Sequence, residues 1–498
     1  MSLVMMAIAM TGLKNMTPWV DEVMFADTPM HYAKGLGWTT RAWYAVARQD
    51  PFLLYPPLYS MLMALWMKLV GTTLTACRSL NLIVTMSIGW ELLRLCRQLG
   101  VKLPPPQVGL LVLLLWCTDD MIFMYRNGRP DLLGASILLA VASETLCYVK
   151  TGRHGWRLVL LSALLIASAV QAAVCLSALL LLACITLRDH RDDIRRISAL
   201  SASGLLLGFL SVCVFMACHG HLTSFVVNTL SYSSTLMKLA MAVLPVWGDC
   251  TGTDTTLYLE KIALNTTDVP LYSRILTVYT RPAYAALLGA TLWVAVSERR
   301  QLKRSSLHTT TMFLSAFVWS IPVCMNLAGR FPPYYYWMVY LPAFLLMLVL
   351  AGQAKKRSSH CAVWLAALLL AVRGLLCASE RSNYPAAAAF MEKCGMLTGK
   401  NIVAPFSVFY EAEKLSSNTY YLGVYPTHCL PETIDYVILP QRESEYGASR
   451  LYDYYDRISK SDTLQTVLVA ESKTAGLKVF SICHRPRSRL HQSAMLYQ

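Results

Sequence analysis

The stretch Thr17-Pro18-Trp19-Val20-Asp21-Glu22 places two acidic residues directly after the first apolar segment of the chain. A carboxylate at the edge of a membrane helix costs free energy in lipid unless it faces water or a partner. Further along, the same region reads Leu54-Tyr55-Pro56-Pro57-Leu58-Tyr59. We therefore expect a polar site at a membrane edge, with Asp21 and Glu22 as its first candidates.

The composition predicts a membrane domain followed by a water-soluble domain. The 498 residues are 55% hydrophobic and 15% charged, with a mean hydropathy of +0.44, whereas soluble proteins carry about a quarter charged residues. The shortage is confined to residues 1–380, while residues 381–498 have an ordinary composition. We predict a transmembrane domain over residues 1–380 and an extracytoplasmic α/β domain over residues 381–498.

The net charge of +15 does not indicate nucleic-acid binding, because the basic residues lie largely in short loops between apolar runs. This distribution is typical of cytoplasmic loops in a membrane protein. The five basic loops are Arg94–Lys102, Lys150–Arg157, Arg188–Arg196, Arg299–Arg304 and Lys355–Arg357.

About eleven membrane crossings are predicted, since one crossing needs about 20 apolar residues. The run 157–188 is too long for one helix and has Gln171 near its middle, so it is interpreted as two short helices joined by a tight turn. The candidate spans are 1–16, 77–95, 104–120, 130–149, 157–188 (two helices), 197–218, 282–298, 309–328, 334–353 and 361–379.

Placing all five basic loops in the cytoplasm decides the topology. The stretch Pro57–Lys68 must then lie along the interface as an amphipathic juxtamembrane helix, and the first outer loop covers residues 17–76. A second large outer loop (219–281) and the tail lie on the same side, with the short loops Asp119–Asp131 and Gly329–Tyr336. We expect a multi-pass membrane protein with its tail outside the cytoplasm.

The tail shows the pattern of a small α/β domain. Its role is expected to be packing over the membrane site or meeting a partner. Predicted helices are Pro385–Cys394 and Leu451–Ser459, predicted buried strands are Asn401–Ala404 and Ile434–Leu439, and a closing hairpin is predicted from Thr466–Ala470 and Leu477–Ile482.

The outer loop Asp119–Asp131 contains further candidates. Pro130 suits the first turn of a helix, and Asp131 would there complement the helix dipole. This cap accounts fully for Asp131. The alternative makes Asp131 a second acid opposite Asp21, with Arg126 or Arg129 holding an anion.

Arg78, Arg330 and Tyr335 are further candidates for phosphate binding. Arg78 opens a membrane helix and either snorkels to the interface or binds a phosphate bidentately. Arg330 precedes Tyr334-Tyr335-Tyr336-Trp337, a run that an aromatic belt explains and that also suits a lipid-linked phosphate. On the same side, Asn265 opens an N-glycosylation acceptor motif.

Cysteine and histidine spacing identifies no metal site. Most of the 15 cysteines lie in apolar helices, where they act as small hydrophobes, and no Cys/His cluster has zinc-site spacing. A disulfide among the extracytoplasmic cysteines stays open, although no spacing selects a pair; these are Cys250, Cys394, Cys429 and Cys483.

Together these motifs resemble the GT-C glycosyltransferases, in particular the family of dolichyl-phosphate-mannose protein mannosyltransferases and the bacterial lipid A aminoarabinose transferase. The resemblance covers roughly residues 17–145 and, more loosely, 329–350. It is carried by Trp19-Val20-Asp21-Glu22, Pro56-Pro57-Leu58-Tyr59, Leu69-Val70-Gly71, Arg78-Ser79-Leu80-Asn81, Arg129-Pro130-Asp131 and the tyrosine-rich run before Leu341-Pro342.

The resemblance implies transfer of a sugar from a polyprenyl-phosphate donor, with inversion. Asp21 takes the place of the catalytic base on the acceptor hydroxyl, and Asp131 corresponds to the second acidic position. Arg78 and Arg330 would stabilise the leaving phosphate, and Tyr335 would contact it. The acceptor is expected to be a protein, a lipid or a cell-envelope glycan. The resemblance to the bacterial transferase also implies a bacterial inner membrane, whose lipid is the remaining partner.

One departure from the family pattern bears on metal binding. Many relatives have an acid and a lysine before Pro-Pro, where this chain has Leu54 and Tyr55. One metal ligand and one phosphate contact are thereby lost, and Tyr55 stands at the phosphate-contact position. His31, ten residues after Asp21, offers a replacement ligand. We predict no tightly bound metal, and a divalent cation is the one cofactor that the resemblance leaves open.

Two alternatives belong to other functional classes. A transporter or flippase of lipid-linked sugars should show internal repeats and helices broken at mid-membrane, whereas here the polar groups gather on one face. A non-catalytic membrane scaffold would leave Asp21, Asp131 and Arg78 unconnected in space.

Overall fold

The computed structural model describes residues 2–18, 20–40, 55–186, 191–220, 222, 225–226, 271–305, 307–328, 335–379, 382–421, 434–441, 448–461 and 463–484. The chain forms two compact units. The first comprises Met1–Leu13, Leu53–Trp66 and Thr75–Glu380, and the second comprises Lys14–Phe52, Met67–Leu74 and Arg381–Gln498.

The described part of the first unit is helical. Its helices are α1 (Ser2–Thr11), α4 (Leu74–Gln98), α5 (Pro105–Cys117), α6 (Asp119–Tyr125), α7 (Asp131–Thr151), α8 (Gly155–Ser168), α9 (Val170–Thr186), α10 (Arg191–Cys218), α11 (Leu271–Tyr279), α12 (Pro282–Ser297), α13 (Arg299–Arg304), α14 (His308–Ala328), α15 (Trp337–Gln353) and α16 (Arg357–Ser379). Helix α3 (Leu58–Val70) is divided between the two units. Helix α2 (Val20–Ala33) belongs to the second unit.

Within the described ranges, three helices are long and apolar enough to cross a membrane, or up to five if each bent helix pair forms one span. The three are Asp131–Thr151, Arg191–Cys218 and Arg357–Cys377; the pairs are α3 with α4, bent by 120°, and α5 with α6, bent by 63°. Each of the eleven predicted spans coincides with a helix. The number of crossings stays a prediction, because several of these helices are short: α1 has 10 residues.

The long apolar run after residue 157 forms two helices, as predicted. Helix α8 ends at Ser168, Ala169 adopts an extended conformation, and α9 begins at Val170. Gln171 therefore lies in the first turn of α9 rather than in the middle of a membrane-spanning segment.

Helices α8 and α10 pack backbone against backbone. A Cβ atom at Gly204 would lie 2.3 Å from the carbonyl oxygen of Val159, and one at Gly208 would lie 2.4 Å from that of Ala163. Because the two glycines are four residues apart, they lie on one face of α10. Small residues at this spacing allow the close approach that stabilises helix pairs in membranes.

Two acidic side chains each link two of the basic loops. Glu144 binds Arg94 and lies 3.7 Å from Arg157, which links the first two basic loops. Glu298 accepts a 2.7 Å hydrogen bond from the Lys356 N–H, which links the last two. Gly352 packs against the segment before α5, so both pairs lie at one end of the helix bundle.

The tail portion of the second unit is built on a five-stranded sheet with strand order β2-β1-β3-β5-β4. Strand β1 is parallel to β2 and β3, whereas β5 is antiparallel to β3 and β4. The strands are β1 (Asn401–Val403), β2 (Asn418–Tyr420), β3 (Tyr436–Pro440), β4 (Leu464–Ser472) and β5 (Leu477–His484), and the helices are α17 (Tyr384–Lys393), α18 (Phe409–Leu415) and α19 (Ala448–Ser459).

One face of the sheet packs on α19 through Val437, Leu439, Leu451 and Ile458. The predicted helices, strands and closing hairpin of the tail are confirmed within a few residues. Cys394 and Cys483 are free thiols. The other two cysteines considered for a disulfide, and Asn265, lie outside the described residues.

Candidate active site

Two buried arginines meet at the end of α1 in the first unit. Arg78, in the first turns of α4, is fully buried and donates a hydrogen bond to the Leu13 carbonyl oxygen. Arg126 follows α6, and its guanidinium packs on Gly12, where a Cβ atom would lie 2.2 Å from Nη2. Burial lowers the pKa of Arg126, and the positive charge of Arg78 lowers this pKa further. An anion bound here would offset both effects.

Asn81 holds the loop that carries the remaining arginine candidate. Its Nδ2 donates to the carbonyl oxygens of Asn127 and Arg129, the latter at 3.1 Å. All three residues are buried. Asn81 lies one turn after Arg78 on α4, so the same helix positions both Arg78 and the 126–131 loop.

Asp131 is the first residue of α7, directly after Pro130 at the N-cap position. Asp131 therefore lies in the first turn, where its charge complements the helix dipole as predicted, although no side-chain hydrogen bond caps the helix. The carboxylate also pairs with Arg129, whose Nε lies 2.7 Å from Oδ2. Both side chains are buried. A buried acid and arginine thus stand beside the buried pair Arg78 and Arg126.

Two neighbouring acids have arginine partners that sequence reasoning missed. Asp119 pairs with Arg373 on α16, and Asp120 pairs with Arg281 just before α12. Arg281 also stacks on Tyr336, with its guanidinium carbon 4.5 Å from the ring centroid. These pairs fasten three helix ends together at the side of the bundle where α7 begins.

Tyr335 faces the interior of the first unit. It is 3% exposed, and its hydroxyl accepts a 2.7 Å hydrogen bond from Gln171 Nε2. Tyr336 and Trp337 are buried as well. An aromatic belt at the headgroups is therefore wrong for these three residues. Arg330 lies outside the described residues, and Tyr55 is half-buried three residues before α3.

An apolar cavity of about 520 Å³ lies in the same unit, and none of the arginines described above is among its lining residues. It is lined along α7 from Ala135 to Val149 and along α15 from Trp337 to Leu345. At 1.5 Å per residue, the stretch of α7 is ~21 Å long. One end of the cavity therefore lies one turn from Asp131 and two residues from Tyr335.

Asp21 and Glu22 belong to the second unit, where they form the first turn of α2. Both acids complement the helix dipole there. Glu22 is fully buried, whereas Asp21 is partly exposed. The expectation that they converge with Asp131 and Arg78 stays a prediction.

The second unit also contains a buried cluster of Asp27, His31 and Glu413. Asp27 and His31 are four residues apart on α2, so helical spacing alone predicts that their side chains lie close together. Glu413 comes from α18 in the tail, and no sequence signal links it to α2.

The sequence matches no protein-family model and no curated protein, but solved structures resemble this fold. ArnT from Cupriavidus metallidurans bound to undecaprenyl phosphate aligns with a TM-score of 0.59 and 12% identity, over 96% of this chain and 97% of that chain. The chain has the fold of ArnT. The apo state of ArnT aligns over the same shares with a TM-score of 0.56 and 12% identity.

ArnT is a lipid A aminoarabinose transferase, and the predicted GT-C resemblance is confirmed at the level of the fold. A more distant likeness is the oligosaccharyltransferase AglB of Archaeoglobus fulgidus, in complex with an inhibitory peptide and a dolichol-phosphate. It has a TM-score of 0.48 and 11% identity, over 97% of this chain and 74% of that chain.

Proposed function

We propose that the protein is a membrane glycosyltransferase that moves a sugar from a polyprenyl-phosphate donor to an acceptor on the non-cytoplasmic face. The observation that carries the proposal is the buried arginine cluster, together with a long apolar cavity whose lining begins on α7 at Ala135, one turn after Asp131. A polyprenyl phosphate has the same division, a phosphate joined to a long apolar chain. The ArnT structure with undecaprenyl phosphate adds support through its fold.

The cationic groups would bind the phosphate of the donor. Arg78 and Arg126 are buried with like charges close together, which favours an anion between them. Arg129 is held in place by Asp131, and Tyr335 by Gln171. In a site shielded from water, such charges stabilise a leaving phosphate more strongly than they would in bulk solvent.

The transfer is proposed to proceed by direct displacement at the anomeric carbon. The acceptor hydroxyl oxygen attacks that carbon while Asp21 removes the hydroxyl proton. The bond between the anomeric carbon and the phosphate oxygen breaks, and the lipid phosphate leaves with the bonding electron pair. A single displacement inverts the configuration of the sugar. Arg330 and Tyr55 remain proposed phosphate contacts.

Asp21 is preferred over Glu22 as the base on grounds of access. Glu22 is fully buried in the first turn of α2, whereas Asp21 is partly exposed. A general base must come within hydrogen-bond reach of the acceptor hydroxyl, and of the two acids only the partly exposed Asp21 is accessible from outside the second unit.

The experiment is sugar transfer by the purified protein in lipid nanodiscs, supplied with a panel of polyprenyl-phosphate sugars. We expect Asp21→Asn to abolish transfer while undecaprenyl-phosphate binding and thermal unfolding stay at wild-type values. Asp456→Asn is the matched control in the second unit, because Asp456 is exposed and pairs only weakly with Lys460 on the surface.

The outcomes separate the alternatives. Normal turnover in Asp21→Asn would exclude Asp21 as the base, and loss in Glu22→Gln alone would move that role to Glu22. Lipid-sugar movement across the nanodisc or liposome bilayer without product would instead favour a flippase. Absence of both binding and transfer with the whole panel would favour a scaffold.

A further inference from the structure

The cluster of Asp27, His31 and Glu413 has the composition and burial of a metal site. The side chains are 0%, 0% and 4% exposed. His31 Nε2 lies 3.4 Å from Asp27 Oδ1 and 3.7 Å from Glu413 Oε2. One ligand atom from each residue lies within 4.8 Å of the others. Among the described residues, this is the group of three or more such side chains close enough to share an ion.

The orientation of the His31 ring is fixed by its other nitrogen. Nδ1 lies 3.1 Å from the Thr39 carbonyl oxygen and 2.9 Å from its hydroxyl. Because a carbonyl can only accept, Nδ1 carries a proton and donates it. Nε2 is thereby turned toward the two carboxylates. Histidine ligands of metals are held in this way, by a hydrogen bond from the ring nitrogen that does not bind the metal.

One carboxylate is oriented by a similar contact. Asp27 Oδ2 accepts a 2.6 Å hydrogen bond from the Thr40 hydroxyl, so Oδ1 is the oxygen that faces His31. In both Asp27 and His31, one polar atom is held by a hydrogen bond with a threonine, and the other polar atom faces the cluster.

The spacing within the cluster matches two ligands of one ion better than a direct hydrogen bond. A hydrogen bond from a ring N–H to a carboxylate measures about 2.7–3.2 Å. Two ligand atoms about 2.0–2.2 Å from a tetrahedral zinc ion lie about 3.4 Å apart. The distances of 3.4 and 3.7 Å are close to this value. We propose that Asp27, His31 and Glu413 bind a divalent cation of the zinc type.

The cation would join the first outer loop to the tail within the second unit. Asp27 and His31 lie on α2, whereas Glu413 lies on α18, and Lys34 reinforces the link through a 2.8 Å hydrogen bond to the Glu413 carbonyl oxygen. Asp21 lies on α2 as well, six residues before Asp27. The cation therefore acts on the proposed base through the helix that carries it, and takes no part in proton transfer.

The competing arrangement contains no metal. A doubly protonated His31 would then pair with both carboxylates, with Lys34 3.2 Å from Glu413 Oε2 as a second cation. The two arrangements differ in a measurable way, since a metal binds the imidazole with Nε2 deprotonated whereas the ion-pair cluster needs Nε2 protonated.

Metal binding is tested on the full-length protein in detergent, without any turnover assay. The protein is stripped with a chelator, dialysed, and titrated with Zn²⁺ alone, and bound zinc is measured by mass spectrometry of the element. Co²⁺ is then added as a spectroscopic probe of tetrahedral coordination. We expect one zinc per chain and the visible absorption bands of tetrahedral Co²⁺.

Variants on α18 supply the matched comparison. Glu413→Gln and His31→Gln should lower zinc affinity at least tenfold. Glu411→Gln, two residues earlier on the same helix and bonded to Tyr384 instead, should bind zinc as the wild type does. If the wild type takes up neither metal stoichiometrically, or Glu413→Gln binds as tightly as the wild type, the proposal is overturned. Because the wild-type measurement needs no variant to fold and no substrate, its result is independent of the proposed transferase activity.

Discussion

Replacing Asn81 with alanine tests whether the buried arginine loop binds the phosphate of the donor. Asn81 is fully buried, and its amide donates to two main-chain carbonyls, those of Asn127 and Arg129. It contributes no charge of its own. Its removal should therefore change phosphate binding only by releasing the loop that carries Arg126 and Arg129.

The expected magnitude follows from the two hydrogen bonds. A buried hydrogen bond contributes about 0.5–1.5 kcal/mol net in soluble proteins, and about 0.6 kcal/mol on average in a membrane protein. Two of them give about 1–3 kcal/mol. If the two hydrogen bonds stabilise the ordered loop that binds the phosphate by this free energy, their loss should raise the Kd for undecaprenyl phosphate about 5- to 150-fold. This follows because 1.4 kcal/mol corresponds to a factor of ten.

The assay is a titration of the purified protein with undecaprenyl phosphate, followed by native mass spectrometry, with uncharged undecaprenol as the parallel ligand. The loss should be confined to the phosphorylated lipid. Ser87→Ala is the control, because Ser87 lies further along α4 and shares a 2.9 Å hydrogen bond with Ser136, away from the arginines. An Asn81→Ala protein that unfolds at a lower temperature but binds undecaprenyl phosphate within twofold of the wild type would refute the reasoning.

Two further substitutions test the close approaches in the first unit. Gly208→Ala should lower the free energy of unfolding by about 1–3 kcal/mol through overpacking, because its Cβ would meet the Ala163 backbone at 2.4 Å; thermal unfolding against Gly289→Ala, where no atom lies within 4 Å, measures it, and equal melting temperatures would contradict it. Gly12→Ala should displace the Arg126 guanidinium, whose Nη2 would lie 2.2 Å from the new Cβ, and raise the Kd for undecaprenyl phosphate several-fold with no change for undecaprenol; an unchanged Kd would count against Arg126 as a phosphate contact.

Hydrophobicity located the helices of the first unit well, but it overstated their lengths. The window 1–16 is mostly apolar and contains Lys14 and Asn15, yet α1 already ends at Thr11 and a short 3-10 turn follows at Leu13–Asn15. A helix of ten residues is about 15 Å long, half the hydrocarbon thickness of a bilayer. A hydropathy window counts apolar residues whatever their backbone conformation, so it cannot distinguish a spanning helix from a short one.

The sequence predicted the strands of the tail where they are buried and apolar. The pattern of Tyr436–Pro440 and the alternation in β4 and β5 both signal strands. Strand β2 was missed because it has three residues, Asn418-Thr419-Tyr420, and lies at the edge of the sheet. Polar residues in so short an edge strand carry no hydrophobic pattern.

Local signals in the site were predicted, and distant ones were not. Asp131 was placed in the first turn of a helix because Pro130 precedes it. By contrast, Asp120 pairs with Arg281 across 161 residues and Lys34 pairs with Glu413 across 379. Such pairs depend on how helices from separate parts of the chain pack. A single sequence contains no residue pattern that indicates this packing.

The grouping of α2 with the tail changes how the acidic pair is understood. A division at residue 380, drawn from composition, assigns Asp21 to the membrane domain, whereas the contacts of Lys34 and His31 with Glu413 tie the same helix to the tail. The proposed base and the proposed phosphate ligands thus belong to different units. A chain cut at residue 380 would remove Glu413, and with it a ligand of the proposed cation and the partner of Lys34. Loss of activity after such a cut would therefore reflect the support of α2 as much as any contact of the tail with an acceptor.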